Sequence, residues 1–390
     1  MGIFRITDFG ARADGKTVNT DAIQNAIDTC HKNGGGRVVC EGGVFVSGTL
    51  ELKSNVNFVV ESGSIIKGSE NLNDYKDLQA AGFNPLEGIE KSKNALILAK
   101  FAENISITGM GKIDGSGPAF YDHKTLDTNG KFAKPETPRP RIIMLYRCKN
   151  VLIQDLSLID SSCWTIWLMQ CENVSIHRVK FSGDRRMRNN DGIDIDQCKN
   201  VTVSDCIFDT EDDCIAVRSM KNLYEKQMVC EDIAVTNCIL KTNCNGIRIG
   251  CPSDGEIKNC VFSNIVIENC INGILFEYPL RYLFGGSGGA SVHDILFDNV
   301  IIKDSTGSAV KLIVEDDIKL ERLSGISFSN IKILNSHKPI IVCGSSQTTV
   351  RNIRFDGVEI RTTGEHAILF QKCEGVKLNN VEVFQLPVIT

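Results

Sequence analysis

The chain has 390 residues, 42% of them hydrophobic and 23% charged, with a formal net charge of −5. That balance is ordinary for a soluble globular protein and offers no basic field, so neither nucleic acid nor an anionic membrane is expected as a partner. No run of 18 apolar residues occurs, so no helical membrane span is expected.

The first residues, MGIFRITDFGARADG, lack a basic segment followed by a long apolar one. A cytoplasmic location is therefore expected, or a secreted one if a leader has been removed. Sixteen cysteines include no Cys-x-x-Cys pair, which argues against zinc ribbons and thioredoxin-like sites. Many recur at one place in a repeat, a pattern of small buried thiols stacked in a core rather than of disulfides.

Thr20 to His31 reads as a helix, with Ala22, Ile23, Ala26 and Ile27 on one stripe. Asn19 or Thr20 can cap it and Gly34-Gly35-Gly36 ends it. Short β-rich runs follow, so the helix is expected to cap the first turn of a β-structure, the cap covering about residues 1–50.

Self-comparison then shows a repeat. Asn150-Val-Leu-Ile returns as Asn173-Val-Ser-Ile, Asn200-Val-Thr-Val, Asp232-Ile-Ala-Val, Asn264-Ile-Val-Ile and Asp294-Ile-Leu-Phe, then at Gly325, Asn352 and Gly375, with Asn104-Ile-Ser-Ile upstream. From Asn150 the spacings are 23, 27, 32, 32, 30, 31, 27 and 23. Each unit alternates apolar and polar residues with period two, the mark of a strand with one buried face. Such coils, with about three short strands each, predict an all-β fold, a parallel β-helix forming one domain over 1–390. The long departures, Gly68 to Asn94 and Gly109 to Arg139, are expected as loops on one edge, the second forming a cleft wall.

Two segments stand out, Asp191-Gly-Ile-Asp-Ile-Asp196 and Asp213-Cys-Ile-Ala-Val-Arg218, their leading aspartates 22 positions apart and Asp212 beside the second. Aligning coils puts Ile166, Ile193, Ile215, Ile247 and Ile274 inward. Asp191, Asp213, Asn245 and Asn272 then form a column, and Trp167, Asp194, Arg248 and Leu275 face outward, with Asp196, Arg218 and Glu277 in the next outward row. Three clustered carboxyls disfavour one another's ionisation. They suit an acid/base pair for glycoside cleavage, a calcium site, or a merely solvated acidic face.

The chain resembles the polygalacturonase family, glycoside hydrolase family 28. The resemblance runs over nearly the whole length and rests above all on Asn189-Asn190-Asp191-Gly192-Ile193-Asp194 and Asp212-Asp213-Cys214. It implies a right-handed parallel β-helix that hydrolyses pectic polysaccharide with inversion and no cofactor or metal. It further implies Asp212 as general acid, Asp191 and Asp213 on the attacking water, and Asn189 orienting substrate or water. Two departures accompany it. Cys244-Asn245-Gly246 replaces the family's Gly-His-Gly, leaving Asn245 as a hydrogen-bond donor that carries no proton. Leu275-Phe276-Glu277 replaces Arg-x-Lys, which disfavours a uronate at the cleavage subsite and favours a neutral sugar.

Arg185, Arg186, Arg188, Arg218 and Arg248 are expected either to bind an acidic sugar nearby or to pair with Asp194, Asp196 and Glu277. Trp164 and Trp167 suit a sugar platform, or for Trp164 a loop core. Tyr278 and Tyr282, beside Arg281 and the glycine-rich loop from Gly285, are expected to close the cleft. His177 and His293 read as plain surface residues. The expected function is an inverting, exo-acting glycoside hydrolase on pectin-derived or related oligosaccharides. The alternatives are a lyase using Arg218 as base, and a β-helix that binds carbohydrate without turnover. Oligomeric state is left open.

Overall fold

A computed structural model describes residues 2–84, 92–280, 289–364 and 366–386. The expected loop at 281–288, with Arg281 and Tyr282, lies outside the described residues. The helix spans Thr20–Lys32 and buries Ile23, Ala26, Ile27 and Cys30. Its start is held by tertiary contacts instead of the expected side-chain cap. The Asn19 amide bonds the Arg12 and Thr17 backbone, and the Thr20 hydroxyl accepts from Gly48 N–H at 2.8 Å. At the far end Gly35 adopts φ +105° where any Cβ would meet the Asn55 carbonyl oxygen at 2.3 Å, so only glycine fits.

The chain folds as a right-handed parallel β-helix and divides into two compact units. The first comprises 1–194 and 201–211, the second 195–200 and 212–390. In the first, Leu50–Glu51, Ala95–Lys100, Arg141–Tyr146 and Ile166–Met169 pair in sequence order as one parallel sheet. Glu103–Thr108, Lys149–Gln154 and Glu172–His177 stack on another face. In the second, Ile215–Arg218, Asn245–Ile249, Asn272–Tyr278, Ser308–Val314, Ile340–Cys343 and Ile368–Gln371 form one sheet. Its remaining coil faces depart from three separate strands. They run on as single strands of 13 or 15 residues, such as Glu256–Glu268 and Ser291–Ser305, bent at left-handed residues.

Those bends explain the repeated Asn and Asp. Asn259, Asn264 and Asn269 all sit at φ near +55°, as do Asp294, Asn299 and Asp304, a conformation that Asn and Asp tolerate better than most residues. Their side chains also bond from coil to coil. Asn264 donates to Asn237 at 3.3 Å and Asn299 to Asn264 at 2.7 Å in the second unit, and Asn173 to Asn150 at 3.1 Å in the first. Asn264→Ala is expected to lower unfolding free energy by about 1–2 kcal/mol, from left-handed strain plus lost hydrogen bonds. Asn264→Gly should lose less, and denaturant melts showing the reverse order would refute this account.

The interior is a stack of like side chains. Phe262, Phe297, Phe328 and Phe355 lie ring over ring at 4.8–5.1 Å in the second unit, and Phe181 on Phe208 at 4.3 Å in the first. None of the sixteen cysteines forms a disulfide, and only Cys244, Cys343 and Cys373 are partly exposed, as the repeat positions suggest. His293 departs from expectation. It is buried, its Nδ1 2.6 Å from Asp294 Oδ2 and its Nε2 3.1 Å from Glu256 Oε1, so neighbouring acids rather than water surround it.

Candidate active site

In the second unit the expected register holds. Ile215 pairs with Ile247 and Ile247 with Ile274, while Val217, Ile249 and Phe276 form the next inward row. This register builds the polar column at the strand starts. Asn245 Nδ2 donates to Asp213 Oδ1 at 2.6 Å, and Asn272 Nδ2 donates to Asn245 Oδ1 at 2.8 Å. Asn245 thus fixes the orientation of Asp213 through an amide and carries no titratable proton.

Two guanidiniums face the other oxygen of Asp213. Arg248 Nη1 lies 3.3 Å from Oδ2 and Arg218 Nη2 3.7 Å from it. Arg248 also donates to Glu277 Oε2 at 2.7 Å and reaches the Cys251 sulfur at 2.8 Å, while Arg218 donates to the Cys251 carbonyl. Burial opposes the charge of Arg248, but Asp213 first, with Cys251 and Glu277, holds its pKa well above the ordinary value. Burial pushes the Cys251 thiol up to about 12. The arginines therefore pair with Asp213 and Glu277. Asp196, which was expected on an outward row, is instead fully buried and accepts from Tyr224 Oη at 2.6 Å and Met220 N–H at 3.0 Å.

Asp212 differs from its neighbour. It is partly exposed, its backbone carbonyl accepts from Thr242 Oγ1 at 2.5 Å, and one of its carboxylate oxygens receives the Asp213 N–H at 3.0 Å. Desolvation by the packed surroundings raises its pKa, and the Asp213 charge raises it further. The Cys244 thiol and Arg248 pull the other way. An oxygen from Asp212, one from Asp213 and the Cys244 sulfur lie within 4.8 Å of one another. Calcium takes six to eight oxygen ligands, and two carboxyls beside a thiol and two guanidiniums are poorly matched to it.

In the first unit, Asp191 and Asp194 are buried, and the Asp191 carbonyl accepts from Thr165 N–H at 2.9 Å. Asn189 takes φ +60° and its Oδ1 accepts from Arg139 Nη2 at 3.2 Å, so that oxygen is tied to the scaffold. Arg185 pairs with Asp209, Arg186 with Asp184 and Arg188 with Asp127.

Two aromatic expectations are corrected, those for Trp167 and Tyr278, and Trp164 takes its loop-core alternative. Trp167 faces outward from its sheet as the alternation requires and Trp164 precedes that strand, but both are buried. Arg141 lies 4.5 Å from one indole and 4.7 Å from the other, and Phe83 covers Trp167 with ring centroids 6.2 Å apart. A long loop has roofed that face, so neither tryptophan is an open sugar platform. Tyr278 is buried under Gly250, where a Cβ would come within 2.9 Å of its ring, and it does not close a cleft.

Sequence reasoning missed Arg139, Arg141 and Cys251. The signal for the first two was present, since Arg139 and Arg141 lead into the wholly buried run Arg141–Tyr146.

Comparison with known proteins places this arrangement. The profile of Glycosyl hydrolases family 28 matches residues 38–232 and 223–348. The chain belongs to glycosyl hydrolases family 28. Among curated relatives, it is 27% identical over 225 residues to a probable polygalacturonase of Vitis vinifera, covering 55% of this chain and 44% of that one. It is 29% identical over 257 residues to an exo-poly-alpha-D-galacturonosidase of Dickeya chrysanthemi, covering 55% and 41%. The aligned region thus spans less than half the length of these family 28 relatives. An exopolygalacturonase of Thermotoga maritima shares the fold with a TM-score of 0.82 at 23% identity, covering 98% of this chain and 91% of that one.

Proposed function

We propose that this family 28 protein is an inverting, exo-acting glycoside hydrolase on pectin-derived or related plant oligosaccharides. The observation that carries the reading is the opposed treatment of two adjacent carboxyls. Asp213 faces two guanidiniums and an amide, while burial first and then the neighbouring Asp213 raise the pKa of Asp212. A protonated carboxyl beside a fixed carboxylate is the general acid that glycosidic cleavage needs.

Asp212 protonates the leaving oxygen. Asp191 and Asp213 act on the attacking water, the roles implied by the Asn-x-Asp-Gly-Ile-Asp and Asp-Asp-Cys motifs. Asp213 then sustains the raised pKa of Asp212 and holds water, with Asn245 setting its angle.

Exo-action is supported by the first unit. Phe83 packs on Trp167 and Tyr146 over strands 141–146 and 166–169, with Arg141 against Trp164 and Trp167, a barrier to a chain running along that face. A neutral sugar is supported by the second, where Arg248 and Arg218 already meet Asp213 and Glu277. Arg218 is a poor lyase base for the same reason, being buried against a carboxylate.

The test is proton NMR of the first anomer released from a panel of pectic and neutral oligosaccharides. Release of monosaccharide with inverted configuration is expected. Retained configuration, unsaturated products or binding without turnover would each reject the reading.

A further inference from the structure

The first unit holds a groove of 810 Å³ that the acid motifs do not use. Its floor is the outer face of Leu50–Glu51 and Ala95–Lys100, its walls the helix Thr20–Lys32 and the loop around Leu72–Gln79, and Pro138 closes one corner. No lining residue belongs to Arg141–Tyr146, Ile166–Met169 or Asn189–Asp194, and within this unit the Arg141–Trp164–Trp167–Phe83 packing occupies the first two of those segments. The groove is therefore a site of its own within its unit. Its size falls inside the roughly 300–1,000 Å³ typical of small-molecule sites.

The lining chemistry narrows the occupant. Lys53, Lys76 and Lys100 are matched by Asp28, Glu51 and Asp77, so the groove selects neither an anion nor a cation. Lys53 already pairs with Glu51 at 2.8 Å, and Lys100 donates to the Gln79 carbonyl at 2.8 Å. Between the charges stand amides (Asn73, Gln79 and Asn94) over an apolar floor that includes Leu78 and Leu98. Asn94 is only 4% exposed, and among the described residues its Oδ1 has no hydrogen-bond donor. A buried acceptor left so is unfavourable by about 1–3 kcal/mol unless something supplies the donor.

We propose that this groove is a second saccharide-binding site, taking a short neutral oligosaccharide through its hydroxyls, with Asn94 Oδ1 as one acceptor. Vicinal hydroxyls offer donors and acceptors at the rim of a ring whose C–H faces suit the leucines, which a charged metabolite does not. Such a site would hold a polymer near the enzyme and raise its local concentration without taking part in bond cleavage.

The experiment is amide NMR of the full chain carrying Asp212→Asn, titrated with linear galactotetraose, so that binding is read without turnover. Saturable shifts are expected at Thr49–Lys53, Leu72–Gln79 and Lys93–Lys100. Asn94→Leu, and separately the exposed pair Lys76→Ala with Gln79→Ala, should each weaken binding at least about tenfold while the other resonances stay in place. Absence of saturable shifts, shifts confined to other residues, or unchanged affinity in both variants would overturn the proposal. None of those results bears on the released anomer, so the groove and the hydrolase reading fail separately.

Discussion

Replacing Asp212 by Asn is expected to lower turnover on natural oligosaccharides by about 10²–10⁴-fold, the usual contribution of a positioned general acid. The amide is nearly the same size and keeps an oxygen for the Asp213 N–H, so the fold should persist. What it loses is the proton for the leaving oxygen. A substrate whose leaving group needs no protonation, such as an aryl glycoside with an acidic phenol, should therefore be hydrolysed with a much smaller loss. That contrast separates an acid from a base, since loss of the water-activating group slows both substrates alike. Turnover within a few-fold of the parent on the natural substrate would remove Asp212 from the mechanism.

Arg248→Gln is expected to be the most damaging single change to stability near the site. Arg248 is 13% exposed and bridges Asp213, which is 1% exposed, to Glu277. Removing one member of such a buried pairing typically lowers stability by about 3–5 kcal/mol, because the remaining carboxylates keep their desolvation without this cation. The same change carries a signature in the pH profile. On the proposed mechanism activity requires protonated Asp212, so it is present below that group's pKa and lost as pH rises through it. Arg248 pulls that pKa down against burial and Asp213. Without Arg248 the pKa rises, and the basic limb of kcat should move to higher pH. A melt shifted by less than about 1 kcal/mol, together with an unmoved basic limb, would show that Arg248 is a bystander.

The repeat, the strand register and the acid motifs were legible in the sequence because each depends on local periodicity. An alternation of two fixes which side chains of Ile215–Arg218 and Asn245–Ile249 point inward, whatever surrounds the coil. Stacking the coils then carries Asn245 onto Asp213 without any long-range information. The left-handed corners are equally local, which is why Asn, Asp and Gly recur there.

What alternation does not decide is whether an outward side chain meets water. Trp167 and Arg218 both point away from the core of the coil and are both buried, since loops and neighbouring side chains cover them. The same holds for charge. The sequence displayed Arg218, Arg248 and Glu277 without saying which would pair, because partners on adjacent coils meet only once the turns between them have set their lengths. Composition, repeat and motif thus determined the solenoid, its family and its candidate acids. Only the tertiary structure decided which face is roofed, which arginine holds which carboxylate, and that burial raises the pKa of Asp212, because burial and pairing are properties of the assembled neighbourhood.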